Sequence, residues 1–231
     1  MKREHARQIV EGIGVKAPAM ANLTISVLRL LFSFAVDCGW RTDNPCRGLK
    51  RYQGGEFRSW TNEELAHYEQ RWPLGTRERL TYDLLLYTAQ RGGDVVNMKR
   101  SDIVDGILSL TQQKTGTKLS IPIHPALRRS IKASSSNGIF ILGDAAGRPI
   151  QRRTLTGLIR MAAKQAKLPA DCVAHGLRKT AMRRLAENGA SEKQMAAISG
   201  HKSMIEVQRY TKSADQAGLA MGAMKLIPDG S

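Results

Sequence analysis

The stretch from His175 to Tyr210 concentrates side chains that could do chemistry. It opens His175-Gly176-Leu177-Arg178-Lys179-Thr180, passes through Ser199-Gly200-His201-Lys202-Ser203 and closes Gln208-Arg209-Tyr210-Thr211. On a helix, His175 and Arg178 fall at i and i+3 and share a face. An imidazole beside a guanidinium is suited to holding and protonating phosphate oxygens. Two upstream residues could join them. Arg91 ends a helix before a Gly92-Gly93 break, where its fork can point into a cleft and Asp94 can orient it. Lys114 lies in Lys114-Thr115-Gly116-Thr117, a tight turn from which a long amine can reach a ligand.

Taken alone, each residue has a plainer reading. Arg91 fits an exposed helix terminus favoured by the dipole. Lys114 fits a solvent-facing turn. His201 follows Gly200 at a helix end, where an imidazole is often only a cap. Tyr210 fits half-buried packing. His5, His67 and His124 show no partners and read as structural or exposed.

The elements that must carry these residues are mostly helical. Leu23, Val27, Leu30, Leu31 and Phe34 repeat as one apolar helix face, with Pro18 near its start and Gly39 as its stop. A weaker helix covers Arg3 to Glu11. Two helices bury little, so this segment must lean on something else. Cys46 to Glu56 reads as a linker, and a larger domain starts near Phe57. Thr61 and Glu64 form a capping box. The next helix buries Leu80, Leu84 and Tyr87 and runs to about Arg91; Asp94 caps a short helix after it. Ile107–Thr111 and Leu119–Ile123 read as a hairpin around Lys114, the second strand at an edge because of Pro122. A helix follows Pro125, a loop covers 134–138, and Ile139–Leu142 reads as a further short strand. Helices are expected from Thr154, over 175–188, from a Ser191 cap, and through Ile205 and Val207 to Tyr210.

Bulk properties name a partner class. The 231 residues carry a net charge of +16, which points to a polyanion, most simply nucleic acid. A membrane surface competes less well, because no basic amphipathic helix stands apart and no apolar run approaches a span. At 42% apolar the chain can build a core. Its 3 cysteines lack zinc-ligand spacing, fit a reduced compartment and read as packing residues.

Arg91, Lys114 on a hairpin, His175-x-x-Arg178, Gly200-His201 and Tyr210, in that order, resemble the tyrosine recombinase (phage integrase) family. Thr88-Ala89-Gln90-Arg91-Gly92-Gly93-Asp94 resembles its first arginine box, and the His175 and His201–Tyr210 segments its second and third. The resemblance covers about residues 57 to 215. It implies a mainly α fold with a small antiparallel β-sheet. It assigns 1–50 to a partial helical core-binding segment, with a linker to about 56, and 57–231 to a catalytic domain with its C-terminal tail. It implies cleavage and rejoining of double-stranded DNA through a 3′-phosphotyrosyl link for integration or excision, with no cofactor and no metal. Tyr210 would be the nucleophile and Lys114 the acid for the 5′-oxygen. Arg91 and Arg178 would hold the phosphate, His175 move protons, His201 bind the phosphate and Asp94 support Arg91. The implied assembly is a homotetramer on paired sites, and a monomer without DNA, in a bacterial or phage-encoded, cytoplasmic and nucleoid-associated setting. A type IB topoisomerase-like strand transferase and a non-catalytic DNA-binding relative are the alternatives. Fewer than about 60 residues precede the catalytic part, so DNA binding is expected to be weak, salt-dependent and poorly selective.

Overall fold

Two helices open the chain, α1 (Arg3–Gly14) and α2 (Pro18–Asp37), in a computed structural model that describes residues 1–134, 138–144, 146–211, 220, 222 and 224. Pro18 occupies the first turn of α2, where its missing N–H costs nothing, and Gly39 (φ 73°) follows the end. α1 and α2 belong to the first of two units, Met1–Glu56; the second is Phe57–Ser231. The first unit has a small core of Val10, Ala21 and Ile25. The expected apolar face of α2 is not the buried one. Leu23, Val27, Leu30, Leu31 and Phe34 are exposed, and Leu30 keeps 72% of its surface. Periodicity reveals a face, not what covers it.

By length and composition α2 is apolar enough to cross a membrane, with a mean hydropathy of 1.7, against the expectation that no run approaches a span. Its polar residues are nevertheless tied within the unit. Arg29 donates to the carbonyls of Cys46 and Leu49, and Asn22 bonds the Tyr52 backbone both ways at 2.9 Å. The stretch expected to be a free linker is therefore docked on α2 as far as Tyr52. Cys46 and Cys172 are buried, but Cys38 is exposed and does not pack.

In the second unit the Thr61–Glu64 capping box forms, with both backbone amides bonded, and opens α3 (Asn62–Arg71). α4 (Arg77–Thr88) is the central helix, packed by α6 (Pro125–Ala133), α7 (Arg152–Gln165) and α8 (Ala174–Glu187). It buries every residue from Leu80 to Leu86, not the single face expected, because neighbours surround it. Asp83 is buried with it and is met by Arg79 at 3.0 Å; burial raises its carboxyl to about 6, with Arg79 opposing. α4 stops at Thr88, short of Arg91, because Ala89 turns left-handed (φ 53°).

The hairpin is β2 (Ile107–Thr111) with β3 (Lys118–Pro122), in antiparallel register Thr111 to Lys118 and Ile107 to Pro122. A two-residue strand missing from the sequence reading, β1 (Ile103–Val104), pairs with β2 and leaves β3 at an edge, where Pro122 is tolerated. Ile139–Leu142 is not a strand; Phe140 makes one isolated bridge to Lys99. α9 (Glu192–Ser199) starts at the Ser191–Gln194 capping box and ends at Gly200 (φ 68°). α10 (Met204–Thr211) packs on α8 and α9 through buried Val207, while Ile205 is exposed. His124 has partners after all: Nδ1 caps α6, and the ring stacks on Tyr87 at 4.4 Å. The tail, expected to pack on its own domain or a neighbour over Ser213–Leu226, lies outside the described residues, apart from three positions.

Candidate active site

Arg178 is the best-buried member of the site, 3% exposed on α8. Among the described residues its guanidinium has no carboxylate hydrogen-bond partner. Nη1 donates to the carbonyl of Ala89, and Nη2 donates to Ser199 O at 3.0 Å and meets His201 Nε2 at 3.1 Å. Left-handed Ala89 is what presents that carbonyl, and Gly200 places the Ser199 carbonyl. Desolvation, and then the charge of Arg91, lowers Arg178 to about 10, against the opposing pull of Tyr210, Asp94 and Glu206. It stays cationic at neutral pH. A buried cation held only by neutral acceptors is primed for an anion.

His201 completes this corner as a neutral ring. Desolvation and then Arg178 lower its pKa to about 4, with Glu206 opposing. Its hydrogen bonds assign the tautomer. Nε2 accepts from Arg178, so Nδ1 carries the proton and donates to Ser199 Oγ at 2.7 Å, while that hydroxyl donates to Met195 O. Glu206 lies 3.7 Å from Nε2, too far for a hydrogen bond. His201 is thus more than a helix cap.

Arg91 is the N-cap of α5 (Gly92–Val95), not the end of α4, and its Nη1 donates to Gln112 Oε1 at 3.2 Å. The two glycines open α5 instead of breaking a helix. Among the described residues Asp94 neither caps a helix nor bonds Arg91. Its Oδ1 accepts from the Gln113 amide at 2.8 Å and so holds the hairpin that carries Lys114. Lys114 is exposed at that turn.

One cleft of roughly 1130 Å³ is lined by Arg91, Lys114, His175 and Arg178, together with Arg152 and Arg160 of α7. Asp94 is the one carboxylate among the described residues that line it. His175 is solvent-exposed on α8 and meets Phe57 edge-on at 5.1 Å. Desolvation lowers its pKa, followed by Arg178, Lys179, Arg91 and Arg152. The ring still faces solvent amid this crowding of positive charge, and an anion in the cleft would reverse the part due to charge. Tyr210 is half-buried near the end of α10, three residues after Val207 and so on its face.

The first residues of the unit fix the start of α8. Arg58 is gripped by Glu64 at 2.6 and 2.7 Å and by Asp171 at 2.7 Å. Trp60 donates its indole N–H to Val173 O at 3.1 Å and its amide to Thr180 Oγ1 at 2.7 Å. Gly176, between His175 and Arg178, lies under this segment. A Cβ there would stand 2.8 Å from Arg58 O and from the Trp60 ring. Gly176→Ala is therefore expected to cost about 1–3 kcal/mol in urea unfolding. Sequence reading missed Arg58, Trp60, Gln90 and Gln112.

A mainly helical unit with a three-stranded antiparallel sheet is the integrase catalytic fold, and here its cleft gathers five arginines, a lysine and a histidine. The phage integrase family model matches residues 59–217, and the chain belongs to that family. It is 32% identical to the integrase of Escherichia phage HK022 over 84% of this chain and 58% of that protein. It is 31% identical to the integrase of Escherichia phage lambda over 83% and 58%. The chain thus spans 58% of these relatives' length. Among solved structures it resembles a lambda integrase fragment seen as a dimer bound to a COC′ core site, with a TM-score of 0.79 and 28% identity over 91% of this chain and 80% of that one. It also resembles a lambda integrase tetramer bound to a Holliday junction, with a TM-score of 0.76 and 28% identity over 89% and 66%.

Proposed function

We propose that this chain cleaves and rejoins double-stranded DNA at specific sites, in integration or excision, through a covalent tyrosyl intermediate. The observation that carries the reading is Arg178, a buried guanidinium with no carboxylate hydrogen-bond partner among the described residues, opening on the same cleft as Arg91, Lys114 and His175. The Tyr210 phenol oxygen forms a bond to the scissile phosphorus as the bond to the 5′-oxygen breaks. Its proton passes to His175, whose pKa desolvation and the neighbouring cations lower. Lys114 supplies a proton to the departing 5′-oxygen. Arg91 and Arg178 hold the non-bridging oxygens as charge builds on them. His201 steers the Arg178 fork towards the phosphate through its Nε2. Rejoining is the reverse, so the bond energy stays in the phosphotyrosine and no nucleotide is consumed.

The relatives' assemblies suggest dimers and tetramers on DNA, which we propose here as a homotetramer on paired sites. A nicked suicide duplex, incubated in EDTA, tests the chemistry. A denaturant-resistant protein–DNA adduct is expected, and its absence across duplexes carrying known integrase core sites would count against the reading. Arg152, Arg153 and Arg160 line the cleft beyond the reacting centre. Each alanine substitution there should lower the slope of log affinity against log salt by about 1 and leave sequence preference unchanged.

A further inference from the structure

Gln112 follows β2 and is fully buried. Its carboxamide uses every hydrogen-bonding position it has. Nε2 donates to Ser199 O at 2.8 Å and to Gln90 Oε1 at 2.7 Å. Oε1 accepts from Arg91 Nη1 at 3.2 Å and from Thr115 Oγ1 at 2.7 Å. Gln90 is pinned in turn, because its Nε2 donates to Thr88 O and Ile198 O at 2.8 Å. Both amide orientations are therefore set; turning Gln112 over would aim its NH₂ at a guanidinium. The backbone of Gln112 also closes the hairpin turn, with its N–H on Thr117 O and its carbonyl accepting from Gly116. A Cβ on Gly200 would sit 2.6 Å from the Gln112 amide, so the Gly-His pair is shaped to this contact.

We propose that Gln112 is the positioning residue that locks the Lys114 turn to Arg91 and to the Ser199–His201 turn. Being buried, it touches neither phosphate nor leaving oxygen. Its work is to hold the proton donor in register with the two arginines. Asp94 supports the same turn from the other side through Gln113. This inference rests on the cleavage reading above for what Lys114 does, but the coupling itself is a property of the fold.

The test uses the full chain with Gln112→Met, which keeps length and removes the hydrogen bonds. Thr115→Val removes a single spoke and serves if the first variant folds poorly. Each is assayed on a nicked duplex and on one with sulfur at the bridging 5′ position of the scissile phosphate. A thiolate leaves without needing a proton, so that substrate is insensitive to Lys114. Gln112→Met is expected to slow adduct formation about 100-fold on the ordinary duplex, with most of the loss recovered on the sulfur duplex. Equal slowing on both overturns the coupling to Lys114. Hydrogen exchange gives a readout independent of chemistry. In Gln112→Met, exchange should rise about tenfold together in peptides over 112–117 and 198–201, with α3 unchanged. A rise in only one of those segments overturns the proposal. If the wild type makes no adduct, the cleavage reading fails and the exchange result alone decides the coupling.

Discussion

Tyr210→Phe is expected to remove the covalent DNA adduct, by at least about 10⁴-fold, while leaving the fold and DNA affinity in place. The substitution deletes one hydroxyl and keeps the ring that packs half-buried beside Val207 on α10. The melting temperature should therefore change by only a few degrees, which a parallel melt would show. The other tyrosines are poor substitutes. Tyr68 and Tyr82 are fully buried, their hydroxyls donate to Glu78 O and Glu69 Oε1, and burial pushes both phenols far up. Tyr87 is raised by burial as well and is stacked on His124. Tyr52 belongs to the first unit and is tied through its backbone to Asn22. Adduct that persists in the variant, mapped to another side chain, would remove Tyr210 as the nucleophile.

Why Arg91, Lys114, His175 and Arg178, which share one cleft, stand out in the sequence while Gln112 does not is a matter of signal. Charged residues beside glycines, and a His and Arg one helical turn apart, stand out in a string. A buried amide hub has no spacing of its own, and Thr111-Gln112-Gln113-Lys114 reads as a wet turn. Strand alternation was the available clue. Leu108, Leu110 and Gln112 share one face of β2 and its continuation, and Leu108 and Gln112 are fully buried. The caps at Thr61 and Ser191 were legible because they depend on neighbours in sequence. Arg91 was misplaced by one element because left-handed Ala89, a residue with no special preference for that conformation, ended α4 early. That turn is held from afar, by Arg178 on the Ala89 carbonyl and by Gln90 on α9, which no local pattern encodes. The exposed face of α2 has the same origin: periodicity is local, while the surface that covers a face is not.

Arg178→Met should separate function from stability most sharply. Burial and Arg91 hold Arg178 near 10, below its ordinary value, so the folded state carries the charged form at a cost of about 3 kcal/mol. The sign follows from linkage. The folded pKa is depressed, so the unfolded chain holds this proton more tightly, and the cost applies at every pH below about 10. Methionine removes the charge and fills a similar volume. The Ser199 carbonyl keeps its bond from Gln112, and the Ala89 carbonyl loses the guanidinium, at about 1–3 kcal/mol. These opposing changes nearly cancel, so the variant should melt within about 6 °C of wild type. Adduct formation should nonetheless fall at least about 10³-fold, because one of the two forks on the phosphate is gone. Tungstate, a phosphate mimic, should raise the wild-type melting temperature by binding where Arg91 and Arg178 face the cleft, and should do so far less in the variant. A variant that unfolds outright would mean that Arg178 is chiefly a structural tie between α8, the Ala89 turn and the end of α9. One that melts like wild type but no longer responds to the anion places the cost of burying Arg178 in the service of phosphate binding.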